Sequence, residues 1–146
     1  MEYENAPRFA PTFGDDIQFL SVDDVIAIHE NQILTYSPGE SFAIRDRGLL
    51  ESAVMAVQQT FDGEYLYGSI AEMAAVYLAG IAKNHAFENG NKRAAFAASS
   101  VFLRMNGFRL TLTQDEAVEL VLGVIAHRID REQLADLIGN SIQSNS

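Results

Sequence analysis

The chain has no cysteine among its 146 residues. That excludes disulfides, thiolate zinc sites and a cysteine nucleophile. It fits a reducing compartment, and a cytoplasmic location is expected. Proline is scarce, with 3 residues, and two of these, Pro7 and Pro11, fall near the start. Long apolar runs are missing too. No stretch approaches the ~20 apolar residues that span a bilayer, and the N-terminus lacks the basic start and apolar run of a secretory signal. No membrane partner is expected. Positive charge is also thin: 10 Lys and Arg stand against 20 Asp and Glu, a net charge of −10. Such a chain is repelled by phosphate backbones unless its few cations are concentrated, so nucleic acid is not expected as a partner.

What is present is an ordinary globular mixture, 48% hydrophobic and 21% charged,. The length suits one domain with one core. A chain of this size buries roughly 68–70% of its unfolded surface without any staple. Residues 1–16 read as an extended, flexible arm, interrupted by Pro7 and Pro11 and closed by Gly14-Asp15-Asp16. Residues 17–142 read as the domain, and 143–146 as a polar, disordered tail.

Within the domain the pattern is nearly all helical. Val22, Val25, Ile26, His29 and Ile33 recur at helical spacing, with Ser21 as N-cap and Asp23 and Asp24 at the positive end of the dipole. His29 lies on the apolar face and reads as a core histidine. After a Pro38-Gly39 turn, a second helix is predicted over Arg47 to Gln59, and Phe61 to Tyr65 reads as another turn. A third runs from Ser69 to Asn84, opened by a capping box of Ser69 and Glu72. It is apolar nearly all round, which predicts a central, buried helix. A fourth spans Asn91 to Asn106 and stops at Gly107. A short strand is predicted at Phe108 to Leu112. A fifth helix is opened by a Thr113–Glu116 capping box and ends near His127, whose charge suits the dipole there. A last helix covers Asp130 to about Ile142.

One loop stands out. Between the two most apolar helices, His85-Ala86-Phe87-Glu88-Asn89-Gly90-Asn91-Lys92-Arg93 gathers an imidazole, a carboxylate, two amides, a glycine and two cations. Loops held by rigid helices are common functional sites. Gly90-Asn91 leads straight into a helix whose first N–H groups lack intrahelical partners, at the positive end of the dipole. A glycine lets successive N–H groups converge into an anion nest. Lys92 and Arg93 oppose the dipole there, which makes sense when an anion such as a nucleotide phosphate sits between them. His85, at the other end of the loop, is suited to take a proton from an attacking hydroxyl. A plainer reading stands beside this one: Asn89 or Asn91 caps the fourth helix, His85 caps the third, and the two cations are merely solvated. Phe87 is a core anchor under either. Lys83, two positions before His85, either joins the site or is a solvated helix end.

The segment resembles the signature of Fic-domain proteins, His-x-Phe-x-acid-Gly-Asn-x-Arg, and Lys92 in its eighth place resembles the death-on-curing (Doc) toxin branch. Ala43 to Ala53 is similar to that family's Gly-x-Arg-Asp-x-Gly-Leu-Leu-Glu-Ser-Ala segment. Phe102 to Gly107 is similar to its Phe-Leu-x-x-Asn-Gly ending. The resemblance covers about residues 17 to 142. It implies an all-α, Fic-like multi-helical bundle with a small β flap, here within residues 36–47, on which target backbone adds as a strand. It implies that His85 is the general base toward a Ser, Thr or Tyr hydroxyl. Glu88, Asn89, Gly90, Asn91, Lys92, Arg93 and Lys83 are then the candidate ATP and phosphate contacts. Gly90 and Asn91 form the phosphate nest, the Asn91 side chain included, and Lys92 and Arg93 neutralise the transferring and leaving groups. The implied substrate is ATP with Mg²⁺, and the implied partners are a protein target, with elongation factor Tu as the known type, and a co-encoded antitoxin. Lys92 favours phosphate transfer; AMP transfer is the alternative. One position departs: the fifth residue, usually an acid that holds Mg²⁺, is Asn89. Metal binding then rests mainly on ATP, or Glu88 substitutes, or the chain is an impaired nucleotide- or antitoxin-binding module. Arg45 and Asp46 read as a structural pair holding the flap. An internal inhibitory Ser/Thr-x-x-x-Glu-Gly/Asn segment is not found, so control from outside is expected.

Overall fold

The computed structural model describes residues 17–145. The arm expected over 1–16 lies outside the described residues. Six α-helices carry the fold: α1 (Val22–Tyr36), α2 (Arg47–Met55), α3 (Ile70–Asn84), α4 (Asn91–Met105), α5 (Gln114–Ile125) and α6 (Arg131–Gly139). The mainly helical class read from the periodicities is the class observed.

The helix α3 is the hub. Every residue from Met73 to Ala79 is buried, and the helix packs against α2, α4, α5 and α6. Its seam with α4 is lined by small residues, Ala74 and Ala75 on one side and Ala94, Ala95, Ala98 and Ser99 on the other, all buried. The Ser99 hydroxyl donates to the Ala74 carbonyl across that seam at 3.0 Å. Against α2 the contact is tighter still: a Cβ on Gly80 would lie 3.3 Å from the Ala53 Cβ. Larger side chains complete the core at the far end of α4. Phe102 and Tyr77 are fully buried, with ring centroids 5.0 Å apart. Each such side chain contributes about 1.5–3 kcal/mol by leaving water. The Tyr77 hydroxyl accepts a bond from the Leu20 N–H at 2.9 Å, which fixes the entry of the chain into α1. Burial pushes this phenol up to about 12.

Helix starts follow the local sequence. Ser21 with Asp24, Thr113 with Glu116 and Asp130 with Gln133 form reciprocal capping boxes,. The box predicted at Ser69 is half formed. Its hydroxyl accepts from the Glu72 N–H, but the Glu72 carboxylate turns back to the Gly68 N–H at 3.1 Å.

Four differences from the sequence expectations are local. The second helix ends at Met55 and tightens into a single 3₁₀ turn, Ala56–Gln58. The turn expected at Phe61 to Tyr65 is a small hairpin, β1 (Thr60–Phe61) with β2 (Glu64–Tyr65), closed by Asp62 and Gly63 at positive φ. His127 lies beyond the end of α5 with φ 61, so it turns the chain out of the helix. The tail expected to be disordered from residue 143 is ordered at its start. Ile142–Ser144 forms β4, antiparallel to β3 (Phe108–Leu110), with Arg109 opposite Gln143 and their side chains bonded at 2.8 Å. The ladder satisfies backbone groups that a polar sequence alone leaves to water.

Candidate functional site

Helix α3 ends at Asn84, and His85 caps it in the left-handed conformation, φ 51 and ψ 45. A β-carbon is disfavoured there, so neighbouring contacts must hold it. They come from the segment before α2. The Arg45 guanidinium donates to the His85 carbonyl. The Ala86 carbonyl accepts from the N–H groups of Arg45 at 2.7 Å and Asp46 at 3.0 Å. Glu88 N–H donates to the Ala43 carbonyl at 3.1 Å, and Ile44 bridges Phe87 in antiparallel fashion. The segment expected to hold the flap therefore carries this one bridge and is strapped along the loop. Arg45 and Asp46 do not pair with each other: Asp46 caps α2 by accepting from Leu49 N–H at 3.0 Å, while Arg45 reaches forward to the loop.

Beneath the loop, Phe87 is buried, as an anchor should be. Its ring lies parallel to that of His29 on α1, with centroids 3.7 Å apart and an interplanar angle of 6°. The Asn91 side chain grips the Phe87 backbone from both sides. Its Oδ1 accepts from the Phe87 N–H at 3.0 Å, and its Nδ2 donates to the Phe87 carbonyl at 2.9 Å. The carboxamide expected to contact phosphate thus also braces the loop, because a buried backbone pair without partners would be costly; its Nδ2 keeps a second N–H.

His29 Nε2 lies 2.7 Å from the Asn89 carbonyl oxygen. A carbonyl only accepts, so the proton sits on Nε2. The other nitrogen, Nδ1, is buried with no partner among the described residues. Burial holds the imidazole below its ordinary value of 6.5, outweighing the Asn89 carbonyl, which pulls the other way. The neutral form of His29 is thus favoured, and its core assignment was incomplete: it also holds the loop.

Gly90 follows with φ 76, and a Cβ there would stand 2.9 Å from Ile33 Cδ1. Position 90 requires glycine twice over, for conformation and for space. Gly90 is the N-cap of α4, and no side chain caps the helix. This removes the plainer reading in which Asn89 or Asn91 is the cap. All the other α-helices have a side-chain cap. The first turn of α4 also holds no acid, and in it Lys92 and Arg93 are exposed. Arg93 is steered by the end of α1: its guanidinium lies 5.0 Å from the Tyr36 ring centroid and donates to Ser37 Oγ at 2.9 Å.

The candidate residues thus fall on the loop between α3 and α4, His85, Glu88, Asn89 and Gly90, and on the first turn of α4, Asn91, Lys92 and Arg93. His85 and Glu88 are exposed, and Asn89 is half-buried. Lys83 is exposed on the last turn of α3, where it complements the dipole,; no hydrogen bond joins it to a described loop residue. No cluster of three or more His, Cys, Asp or Glu suited to a metal occurs among the described residues. The supporting roles of His29, Arg45, Tyr36 and Ser37 are not readable from the sequence. Only His29 leaves a trace, as a polar group one helical turn before Ile33 on a buried face.

Comparisons with known proteins identify the family. The sequence model of the Fic/DOC family matches residues 19–103. The chain is 37% identical over 99 residues to Toxin Doc of Mycolicibacterium smegmatis, a match covering 66% of this chain and 76% of that protein. It is 30% identical over 124 residues to Protein kinase doc of Escherichia phage P1, covering 84% of this chain and 94% of that protein. With the signature loop seated between its two central helices, the chain belongs to the Fic/DOC family.

Proposed function

We propose that this chain is the toxin of a toxin–antitoxin pair and transfers the γ-phosphate of ATP to a Ser or Thr hydroxyl of a protein, a translation factor such as elongation factor Tu. The observation that carries the reading is the start of α4. Among the described residues it is the α-helix without a side-chain cap, it opens at a left-handed glycine and it has Lys92 and Arg93 in place of acids. Uncapped N–H groups and two cations favour a polyphosphate over any neutral ligand. The two relatives, one named a toxin and the other a protein kinase, point the same way.

In this mechanism the polyphosphate lies across the N–H groups at the start of α4. The target hydroxyl approaches His85, which accepts its proton. The hydroxyl oxygen bonds to the γ-phosphorus as the bond from that phosphorus to the β,γ-bridging oxygen breaks, and ADP leaves. Lys92 and Arg93 offset the charge that builds on the transferring and leaving oxygens, where loss of one good donor costs about 2.7–4 kcal/mol. Arg93 enters already oriented by Tyr36 and Ser37. Mg²⁺, which neutralises phosphate charge in such transfers, would be held by the Asn89 amide oxygen and Glu88 carboxylate together with the phosphates. One neutral and one anionic oxygen fit a metal carried mainly by nucleotide.

The test is incubation with ATP labelled at either phosphorus and a bacterial extract, using wild type and His85→Ala. Label from the γ-position alone, absent with His85→Ala, is expected. Label from the α-position means AMP transfer. No label, no growth arrest and no ATP binding would leave only a partner-binding module.

A further inference from the structure

We infer that His29 is a positioning residue for the phosphate socket: by holding the Asn89 carbonyl, it fixes the Asn89–Gly90 peptide so that the Gly90 N–H faces outward. The inference rests on the phosphate-binding reading of α4. Its starting point is an imidazole with zero exposure on α1, sixty positions from the loop it touches. Three loop positions meet it. Phe87 stacks on its ring, the Asn89 carbonyl accepts from Nε2, and a Cβ on Gly90 would come 3.5 Å from Nε2.

The consequence follows from peptide geometry. The described residues contain no cis peptide. In a trans peptide the C=O and the next N–H point in opposite directions. With the Asn89 carbonyl turned inward to His29, the Gly90 N–H is aimed away from the core. That orientation lets it join the first N–H groups of α4, which no side chain caps. Glycine at 90 makes this peptide easy to rotate, because both signs of φ are open to it. Were it to flip, a carbonyl oxygen would replace the N–H and face the phosphate with the wrong charge. The Nε2–H bond opposes that flip. Ile33, packed against Gly90, restricts it further but supplies no directional bond.

This places the control of an anion site on a helix that contributes no side chain to the anion. It also explains why a buried imidazole is kept with Nδ1 unpartnered. A leucine or phenylalanine would fill the same volume without that orphaned nitrogen but could not hold the carbonyl.

The experiment uses the full chain. Imidazole ¹⁵N shifts of wild type read the tautomer of His29. A proton on Nε2 is expected, and a proton on Nδ1 would overturn the inference even if no variant folds. His29→Phe keeps a ring against Phe87 and removes the donor; His29→Gln restores an N–H donor at similar reach. Expected for His29→Phe are native circular dichroism, a changed Gly90 amide ¹⁵N shift and ATP affinity by calorimetry weaker by about tenfold, the scale of one lost hydrogen bond with its acceptor left buried. His29→Gln should recover most of that affinity. An unchanged Gly90 shift and affinity in His29→Phe, or no recovery in His29→Gln, would reduce His29 to packing. If wild type binds no ATP, the proposed function fails, and the tautomer and the Gly90 shift still decide the role of His29.

Discussion

Asn89 stands where the family signature carries an acid, and its surroundings separate its two polar ends. The carbonyl is committed to His29, whereas the half-buried side chain has no bond to a described residue. Replacing the amide by a carboxylate therefore alters the ligand and leaves the loop frame intact. Magnesium prefers anionic oxygens. Asn89→Asp should lower the Mg²⁺ concentration giving half-maximal phosphotransfer by about tenfold, the lower end of changes seen when a metal's surroundings are altered. Little change in that midpoint would mean that Asn89 does not face the metal. At this scale the sequence is readable wherever a residue's role is set by its immediate neighbours. Gly90 as a left-handed hinge and Phe87 as an anchor are of this kind. The bracing role of Asn91 is not, because both of its partners belong to a backbone whose path is visible only once folded.

At the scale of elements, the site depends on how closely α3 and α4 approach. The seam of Ala74, Ala75, Ala94, Ala95, Ala98 and Ser99 brings the helices together, and the loop from His85 to Gly90 spans their ends. Ala98 is fully buried, seven residues into α4 from the loop. Ala98→Leu should cost about 1–3 kcal/mol through overpacking. It should also weaken ATP binding by pushing the start of α4 away from His85. Chemical denaturation and calorimetry check the two effects, and a stable variant with full affinity would show that the seam does not set the socket. Most elements could be read in advance because helical periodicity and caps are local. Ser21 and Thr113 announce their helices within four residues. What escaped reading is pairing over distance. The tail strand at Ile142–Ser144 finds Phe108–Leu110 more than thirty positions away. The strap from Arg45 to His85 crosses forty. Neither leaves a mark in the composition of either partner.

For the whole molecule, two buried titratable groups bound the pH range of stability, and each has its own sign. The Tyr77 phenol is pushed up to about 12 from 10.0. Above pH 10 the unfolded phenol gives up a proton that the folded one keeps, so this contribution is lost as pH rises from 10 to 12. His29 works at the other end. Its folded value lies below 6.5, so as pH falls past 6.5 the unfolded imidazole binds a proton that the folded one refuses. Stability is full above 6.5 and declines below it, by at most about 1.4 kcal/mol per pH unit for one proton. The decline ends only when the folded imidazole is itself protonated. Urea titrations of wild type and His29→Gln at pH 7.5, 6.5 and 5.5 isolate the histidine, because every other group is common to both. The wild type should lose more stability than the variant between pH 6.5 and 5.5, and the two should run parallel above 7. Parallel curves throughout would mean that His29 titrates alike folded and unfolded. The imidazole under the loop would then be open to water rather than sealed between α1 and Phe87.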